Sequence, residues 1–157
     1  MILVLDASAL IALARIGRLD LLRHLAGSAH IPQAVYEEVV TRGAGRPGCT
    51  EVAQANWIRR HEVRDRTRVE RLCSRAGRGE AEAIVLAREV RADVLVLDDA
   101  TARRMTEAEG QKAIGLLGLL LHGKERGLIP TLKPILHEKG VRYLFQLAAG
   151  GRVRREG

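Results

Sequence analysis

Cysteine and aromatic residues are scarce in this sequence. The 157-residue chain contains two cysteines, Cys49 and Cys73, together with one Trp, two Tyr and one Phe. The cysteines form no C-x-x-C pair and have no histidine at zinc spacing, which argues against a disulfide framework and a zinc knuckle. Because the cysteines give no disulfide framework, we expect a protein of a reducing, cytoplasmic compartment. With so few aromatic rings, stacking platforms for single-stranded bases are also scarce.

Long apolar runs are absent as well. No stretch approaches the ~20 apolar residues of a membrane span, and the longest candidate, IGLLGLLLHG at 114–123, is interrupted by glycine. No basic segment precedes the apolar run at the amino terminus, so we expect neither a membrane segment nor a secretory signal.

Negative charge is in deficit. The chain has 26 Lys and Arg against 19 Asp and Glu, a net charge of +7. An excess of this size indicates a polyanionic partner. An arginine-rich composition with a solvated surface explains the same excess, so charge alone does not choose between the two.

Two apolar runs, ILVL at 2–5 and VLVL at 94–97, are continuous rather than alternating. This pattern is typical of strands that are covered on both faces of a parallel sheet. Further strands are predicted at 29–31, 57–63 and 112–114, and helices at 8–16, 18–26, 32–42, 67–76, 80–90 and 101–109. The alternation predicts an α/β fold with three α/β/α layers and a central, mostly parallel sheet of about five strands.

The carboxyl-terminal part of the chain is predominantly helical in its pattern. Helices are predicted at 116–126, 132–139 and 142–149, and we expect one domain over residues 1–150 with a basic tail at 151–157. The leucines of the first of these helices cover nearly its whole circumference. Packing into the core is the favoured interpretation, and a dimer interface is the alternative.

Acidic residues follow both apolar runs, Asp6 after the first and Asp98 after the second. In open parallel sheets, ligands bind at the carboxyl ends of the strands. If these strands are neighbours, repulsion would keep one of the two carboxyl groups protonated unless a cation lies between them. Oxygen ligands of this kind select Mg²⁺ or Mn²⁺.

Two glutamate pairs compete for a place beside these aspartates. Glu80 shares its helical stripe with apolar residues, whereas the stripe of Glu82 includes another acid, so we expect Glu80 to point inward. In PQAVYEEVV, the spacing slightly favours Glu38 over Glu37. Helix capping is a simpler explanation for each acid taken alone.

The order of motifs resembles the PIN-domain nucleases, and more closely their VapC-like branch. The resemblance spans about residues 1–140 and is carried by LDASALIALARIGRLDLL, IPQAVYEEVV, GRGEAEAIVLA, ADVLVLDDATARRM and AEGQKAIGLLGLLLHGKERGLIP. It implies an acidic cluster at the carboxyl edge of a parallel sheet, which binds one or two divalent ions.

The resemblance also implies which residues form this site. The four acids are Asp6, Glu38, which closes I-P-x-x-V-x-x-E, Glu80 and Asp98; Glu80 is chosen because the family's helix acid precedes the strand-end aspartate by 18 residues. Ser8, Asp99 and Glu82 are secondary candidates. The chain departs from the pattern in two places, since many relatives have Asp at the position of Glu80 and commonly Thr at that of Val96.

By resemblance, the function is metal-dependent hydrolysis of RNA, with the chain as the toxin of a toxin–antitoxin pair and with a small antitoxin and a second copy as partners. Candidate phosphate-binding residues are Arg15, Arg103 and Arg104. One alternative is a receiver- or phosphatase-like domain, which fits poorly because Ser8 occupies the position of the phosphatases' second aspartate. The other is a catalytically silent PIN-like scaffold that binds RNA or protein.

Overall fold

A five-stranded parallel sheet forms the central layer of the computed structural model, which describes residues 1–131. The strands are β1 (Leu3–Leu5), β2 (Ala29–Pro32), β3 (Ile58–His61), β4 (Val94–Val96) and β5 (Ala113–Ile114). They lie in the order β3-β2-β1-β4-β5, and each neighbouring pair is parallel. The continuous apolar runs are therefore buried central strands, as their pattern predicts.

Helices cover both faces of this sheet. They are α1 (Ala7–Arg15), α2 (Asp20–Ala26), α3 (Gln33–Tyr36), α4 (Cys49–Gln54), α5 (Arg66–Leu72), α6 (Arg78–Glu89), α7 (Ala100–Ala108) and α8 (Leu116–Glu125). A π-helical turn, Glu37–Thr41, continues α3.

The alternation of side chains along β1 separates the core into two layers. Leu3 and Leu5 pack in an apolar cluster with residues of α1, α2, α4 and α8, whereas Val4 packs in a second cluster with residues of α5, α6 and α7. Successive side chains of a strand point to opposite faces, so one short strand contributes to both layers. The predicted α/β/α architecture is confirmed.

Two sequence-based expectations about helices need correction. Helix α4 was not predicted, because it begins at a glycine instead of a Ser, Thr or Asp signal; Gly48 has a positive φ of 95° and donates its N–H to the Glu51 carboxylate at 3.0 Å. The helix predicted at 67–76 ends at Leu72. The helices predicted at 132–139 and 142–149 and the basic tail lie outside the described residues.

Helix α8 is less fully enclosed than its leucines suggest. Leu116, Leu119 and Leu120 are buried, which confirms core packing for this part of the helix, but Leu121 is 44% exposed. No helix within residues 1–131 is both long and apolar enough to span a membrane.

A histidine pair joins β2 to β3. His30 Nδ1 and His61 Nε2 are 2.9 Å apart, and the two rings stack with centroids 5.0 Å apart. Burial lowers the pKa of both rings; each ring's positive form is further disfavoured by Arg59, and that of His30 by His61 as well. The hydrogen bond needs one nitrogen to accept, so it cannot form when both rings are protonated.

We expect this pair to make folding stability depend on pH. Because the pKa of each folded ring lies below its unfolded value of 6.5, the pair's contribution is complete above about pH 6.5 and is lost as pH falls through the lowered values. The unfolding free energy of His61→Gln minus that of wild type, measured by urea denaturation, should therefore rise as pH falls from 7 to 5. For the matched substitution His24→Gln, at an exposed site on α2, the same difference should stay flat. Equal pH dependence in His61→Gln and wild type would contradict this role.

Candidate active site

The carboxyl ends of β1 and β4 lie side by side at one edge of the sheet, and the region around Asp6 and Asp98 at these ends is called the acidic crevice. These strands are neighbours, with Leu5 opposite Val96, although the chain goes from β1 to β2 on one side and reaches β4 on the other. Strand order reverses at this point, which is where ligands bind in open parallel sheets. Asp6 directly follows β1, and Asp98 follows β4 by two residues, so the fold brings the two aspartates to the same crevice.

Asp6 is a buried carboxyl group with a structural and an electrostatic role. Its Oδ1 accepts the Ala9 N–H at 2.9 Å and caps α1, and its Oδ2 accepts the Asp98 N–H at 3.4 Å. Only 3% of the residue is exposed. Burial raises its pKa to about 7, with further increases from Asp98 and Glu80, against the lowering effect of the two backbone hydrogen bonds. A carboxyl group in this state gains from a nearby cation.

Asp98 stands beside Asp6 at the start of the β4–α7 connection. Burial raises its pKa, while Arg103 and a hydrogen bond from the Leu116 N–H lower it. Arg103 Nη1 donates to the carbonyl oxygens of both Leu97 and Asp98 at 2.9 Å. Arg103 therefore braces the backbone of the site, a role that its helical spacing did not indicate.

Glu80 and Glu38 approach the aspartates from two other elements. Burial raises the pKa of Glu80, as do Asp99 and Glu38, while a hydrogen bond from the Gly77 N–H opposes the increase. Glu38 lies in the π-helical turn, and its Oε2 is 3.2 Å from the position that a Cβ at Gly79 would take. The two glutamates thus meet over the first turn of α6.

Glu82 has a different role from the one that its stripe suggested. It is only 3% exposed, whereas Glu80 is half-buried, so the expectation that Glu80 is the more inward-facing was wrong. Glu82 Oε1 accepts the Ala34 N–H at 3.3 Å, and its Oε2 lies 3.5 Å from Arg66 Nη1. Residues 81–87 of α6 are all buried, because this helix packs against the sheet, α3 and α5. A single apolar stripe could therefore not separate the two glutamates.

The remaining predicted residues lie at varied distances from the crevice. Asp99 caps α7 by accepting the N–H groups of Thr101 and Ala102 at 2.6 and 3.0 Å, and its charge raises the pKa of Glu80. Ser8 is exposed in the first turn of α1. Arg15 is at the opposite end of that helix, roughly 13 Å along its axis from Asp6. Arg104 is exposed on α7, with its Nη2 3.4 Å from the hydroxyl of Thr101.

The donors at this crevice suit a hard divalent cation. Four carboxyl groups from four segments of the chain approach one edge of the sheet, and within residues 1–131 none of the four forms an ion pair with Arg or Lys. Across the same part of the chain, no three Asp, Glu, His or Cys side chains are close enough to hold a metal as they stand. Carboxylate oxygens are the preferred ligands of Mg²⁺ and Mn²⁺. The chemistry of the set fits such an ion, provided that the flexible glutamate arms move towards the aspartates.

Truncation of the two acids of α6 is expected to change the free energy of unfolding by different amounts. Glu82→Ala would leave the Ala34 N–H without its acceptor and remove the partner of Arg66, at a cost of about 1–3 kcal/mol of unfolding free energy. The matched variant Glu80→Ala should cost less than about 1 kcal/mol, because Glu80 is half-buried and repelled by its neighbours. Urea denaturation at pH 7 measures both, and equal losses would contradict the distinction.

Comparison with known proteins agrees with the fold. A family model described as a PIN domain matches residues 2–143. Among solved structures, the chain is similar to a PilT N-terminus domain protein from the hyperthermophilic archaeon Sulfolobus solfataricus P2, with a TM-score of 0.54 and 19% identity over 78% of this chain and 92% of that one. No curated protein matches the sequence at a significant level. The likeness to the archaeal structure concerns the fold, and the family match covers most of the sequence: the chain belongs to the PIN-domain family.

Proposed function

We propose that this protein is a divalent-metal-dependent endoribonuclease that hydrolyses RNA phosphodiester bonds. PIN domains are usually nucleases, and membership of that family supports hydrolysis of nucleic acid. The observation that carries the proposal is the buried Asp6, whose pKa of about 7 reflects burial beside two further acids. Such an arrangement is costly for the folded protein unless positive charge arrives from outside.

Asp6 and Asp98 are the residues that would hold the ion, with Glu38 and Glu80 completing the set. A bound Mg²⁺ or Mn²⁺ would supply the positive charge that lowers the pKa of water and stabilises the developing charge on the phosphate. The backbone hydrogen bonds to Asp6 orient its carboxylate, and Arg103 holds the backbone of Asp98 in place. The two aspartates are therefore set by the fold.

Glu80 is the best placed acid to take a proton from the attacking water. Its raised pKa makes its carboxylate more basic than an exposed glutamate, and it lies in the first turn of α6, beside Glu38 and Asp99. Proton transfer to such a carboxylate is general base catalysis. Glu38 is exposed on the rim, where it would hold water or the ion. No side-chain nucleophile is needed.

One observation favours a second candidate function, a catalytically silent scaffold that binds RNA or protein. Within residues 1–131, the acids do not converge on one point to within ligating distance. A scaffold would need no such convergence. Binding of Mn²⁺ separates the two functions, since a scaffold has no reason to retain affinity for the ion.

The resemblance to VapC-like proteins extends the proposal to partners. In this extension the protein is a cytoplasmic toxin, a small antitoxin covers the acidic crevice, and two copies pair through α8. Exposed Leu121 and Met1 support such a pairing surface, because they line a cavity of about 280 Å³ together with Ile114 and Leu119. An exposed apolar patch of this kind is typical of interfaces.

Cleavage of RNA should depend on the ion and on both aspartates. With Mn²⁺ or Mg²⁺ the protein should cleave a 5′-labelled structured RNA, and excess EDTA should stop the reaction. Asp6→Asn and Asp98→Asn should each lower kcat/KM at least 100-fold, because each removes a charged ligand. Glu107→Gln, which removes an exposed acid from α7, should cleave like wild type. Cleavage that survives in EDTA or in both aspartate variants would overturn the proposal.

Asp6→Asn should also change the pH dependence of stability. Because the folded pKa of Asp6 lies near 7, above its usual 3.8, the contribution of Asp6 to wild-type stability falls as pH rises from about 4 to about 7 and then levels off. The unfolding free energy of the variant minus that of wild type should therefore rise across this range, by roughly 2–4 kcal/mol. Mn²⁺ should raise the Tm of wild type but not of the variant. If the unfolding free energy of the variant minus that of wild type stays constant between pH 4 and pH 8, then the folded protein does not disfavour the ionised form of Asp6.

A further inference from the structure

A basic groove lies between the end of α5 and the outer side of α7. It has a volume of about 580 Å³ and is lined by Arg71 and Arg75 on one side and by Arg104 on the other. Ser74 and Thr101 also line it. Three guanidinium groups around one groove make a strongly positive surface, and arginine is a side chain that proteins use to bind phosphate.

The positive charge of this groove is not cancelled by nearby acids. Among residues 1–131, Arg71, Arg75 and Arg104 form no ion pair. The acid that lines the groove, Glu109, is itself paired with two arginines outside the groove, Arg68 at 3.0 Å and Arg88 at 3.5 Å. The groove therefore keeps its charge available for an anion.

The groove comes close to the acidic crevice at the start of α7. Thr101, in the first turn of α7, lines the groove, and its N–H is bonded to the carboxylate of Asp99 at 2.6 Å. Asp99 in turn is close enough to raise the pKa of Glu80. From Thr101 the groove follows α7 to Glu109, roughly 12 Å along the helix axis. An extended chain lying in the groove would therefore have one end at the acids.

We propose that the groove between α5 and α7 binds the sugar–phosphate backbone of RNA and leads it to the acidic crevice. This inference rests on the proposed nuclease function. The crevice itself repels a polyanion, because four carboxyl groups surround it, so the substrate needs a separate positive surface to stay bound. Arg71 and Arg75 were not among the sequence-based candidates, and the fold places them across the groove from Arg104.

The lining of the groove indicates recognition of backbone charge rather than of bases. Its remaining walls include Leu72, Met105 and Ala108, and no aromatic ring lines it. Stacking of bases on aromatic rings therefore does not contribute here, whereas arginine can pair with a phosphate through two hydrogen bonds. Binding in the groove should be tolerant of sequence and sensitive to salt.

The test compares two triple variants that carry the same change in charge. The groove variant is Arg71→Gln/Arg75→Gln/Arg104→Gln. The control variant is Arg23→Gln/Lys124→Gln/Arg126→Gln, at exposed sites on α2 and at the end of α8, in the opposite helical layer. Binding of a fluorescein-labelled RNA is measured in EDTA by fluorescence anisotropy between 50 and 300 mM KCl, so that cleavage does not contribute. Circular dichroism melts check that both variants fold.

The groove variant should bind the RNA at least ten-fold more weakly at 100 mM KCl, with a salt slope shallower by about 2, because three phosphate contacts are lost. The control variant should change affinity by less than three-fold. Equal weakening of both variants would show that the effect comes from net charge. No weakening of either would show that RNA does not bind in the groove. Both results overturn the proposal. The same holds if the groove variant loses affinity for poly-glutamate but not for RNA, which would make an acidic peptide the ligand.

The groove and the nuclease function fail in different ways. If wild type binds RNA through the groove but does not cleave it with Mn²⁺, the proposal about the groove is supported and the proposed nuclease activity is wrong. If wild type cleaves RNA with Mn²⁺ and the groove variant binds RNA as tightly as wild type, the nuclease activity is supported and the proposal about the groove is wrong.

Discussion

The carboxylate of Asp6 is the contact on which the arrangement of the crevice depends. One oxygen caps α1 through the Ala9 N–H, and the other accepts the N–H of Asp98 from the neighbouring strand's connection. A single side chain therefore links the exits of β1 and β4. The link forms only because these strands are parallel neighbours in register, with Leu5 opposite Val96. The ionised carboxylate is disfavoured at this buried position, which raises the pKa of Asp6 to about 7.

Helix starts and acids share the same edge of the sheet. In a parallel sheet each connecting helix begins or ends at this edge, and a helix start offers free N–H groups that attract negative charge. Asp99 accepts an N–H group at the start of α7, Glu82 accepts one at the start of α3, and Asp6 accepts one at the start of α1 through its Oδ1. The partial positive charge of each helix start therefore stabilises one of these carboxylates. These partial charges do not neutralise the whole group, and this remaining negative charge is the reason for proposing an external cation at this edge of the sheet.

Arginine serves two purposes around the crevice, and the contacts separate them. Arg103 Nη1 donates hydrogen bonds to two backbone carbonyl groups and so stabilises the β4–α7 connection. Arg71, Arg75 and Arg104 instead line a groove whose one acid is paired elsewhere. Among the 26 basic residues of the chain, one thus supports the backbone at the site and three form a surface that suits a polyanion. Composition reveals the excess but not this division.

The sequence by itself determined the fold class and the central strands, because continuous apolar runs and helical periodicity are local patterns that burial on both faces of a sheet requires. The family came from the resemblance of the motifs to those of PIN domains, which the family match over residues 2–143 confirms. The sequence also placed Asp6 and Asp98 at strand ends. Tertiary structure alone decided that β1 and β4 are neighbours and that Glu82, not Glu80, is the buried acid of α6. The pairing of strands that are distant in sequence depends on long-range contacts. So does the packing of α6 against the sheet, α3 and α5. A short stretch of sequence contains none of these contacts. For the same reason the groove, which joins α5 to α7, appears only in the folded chain.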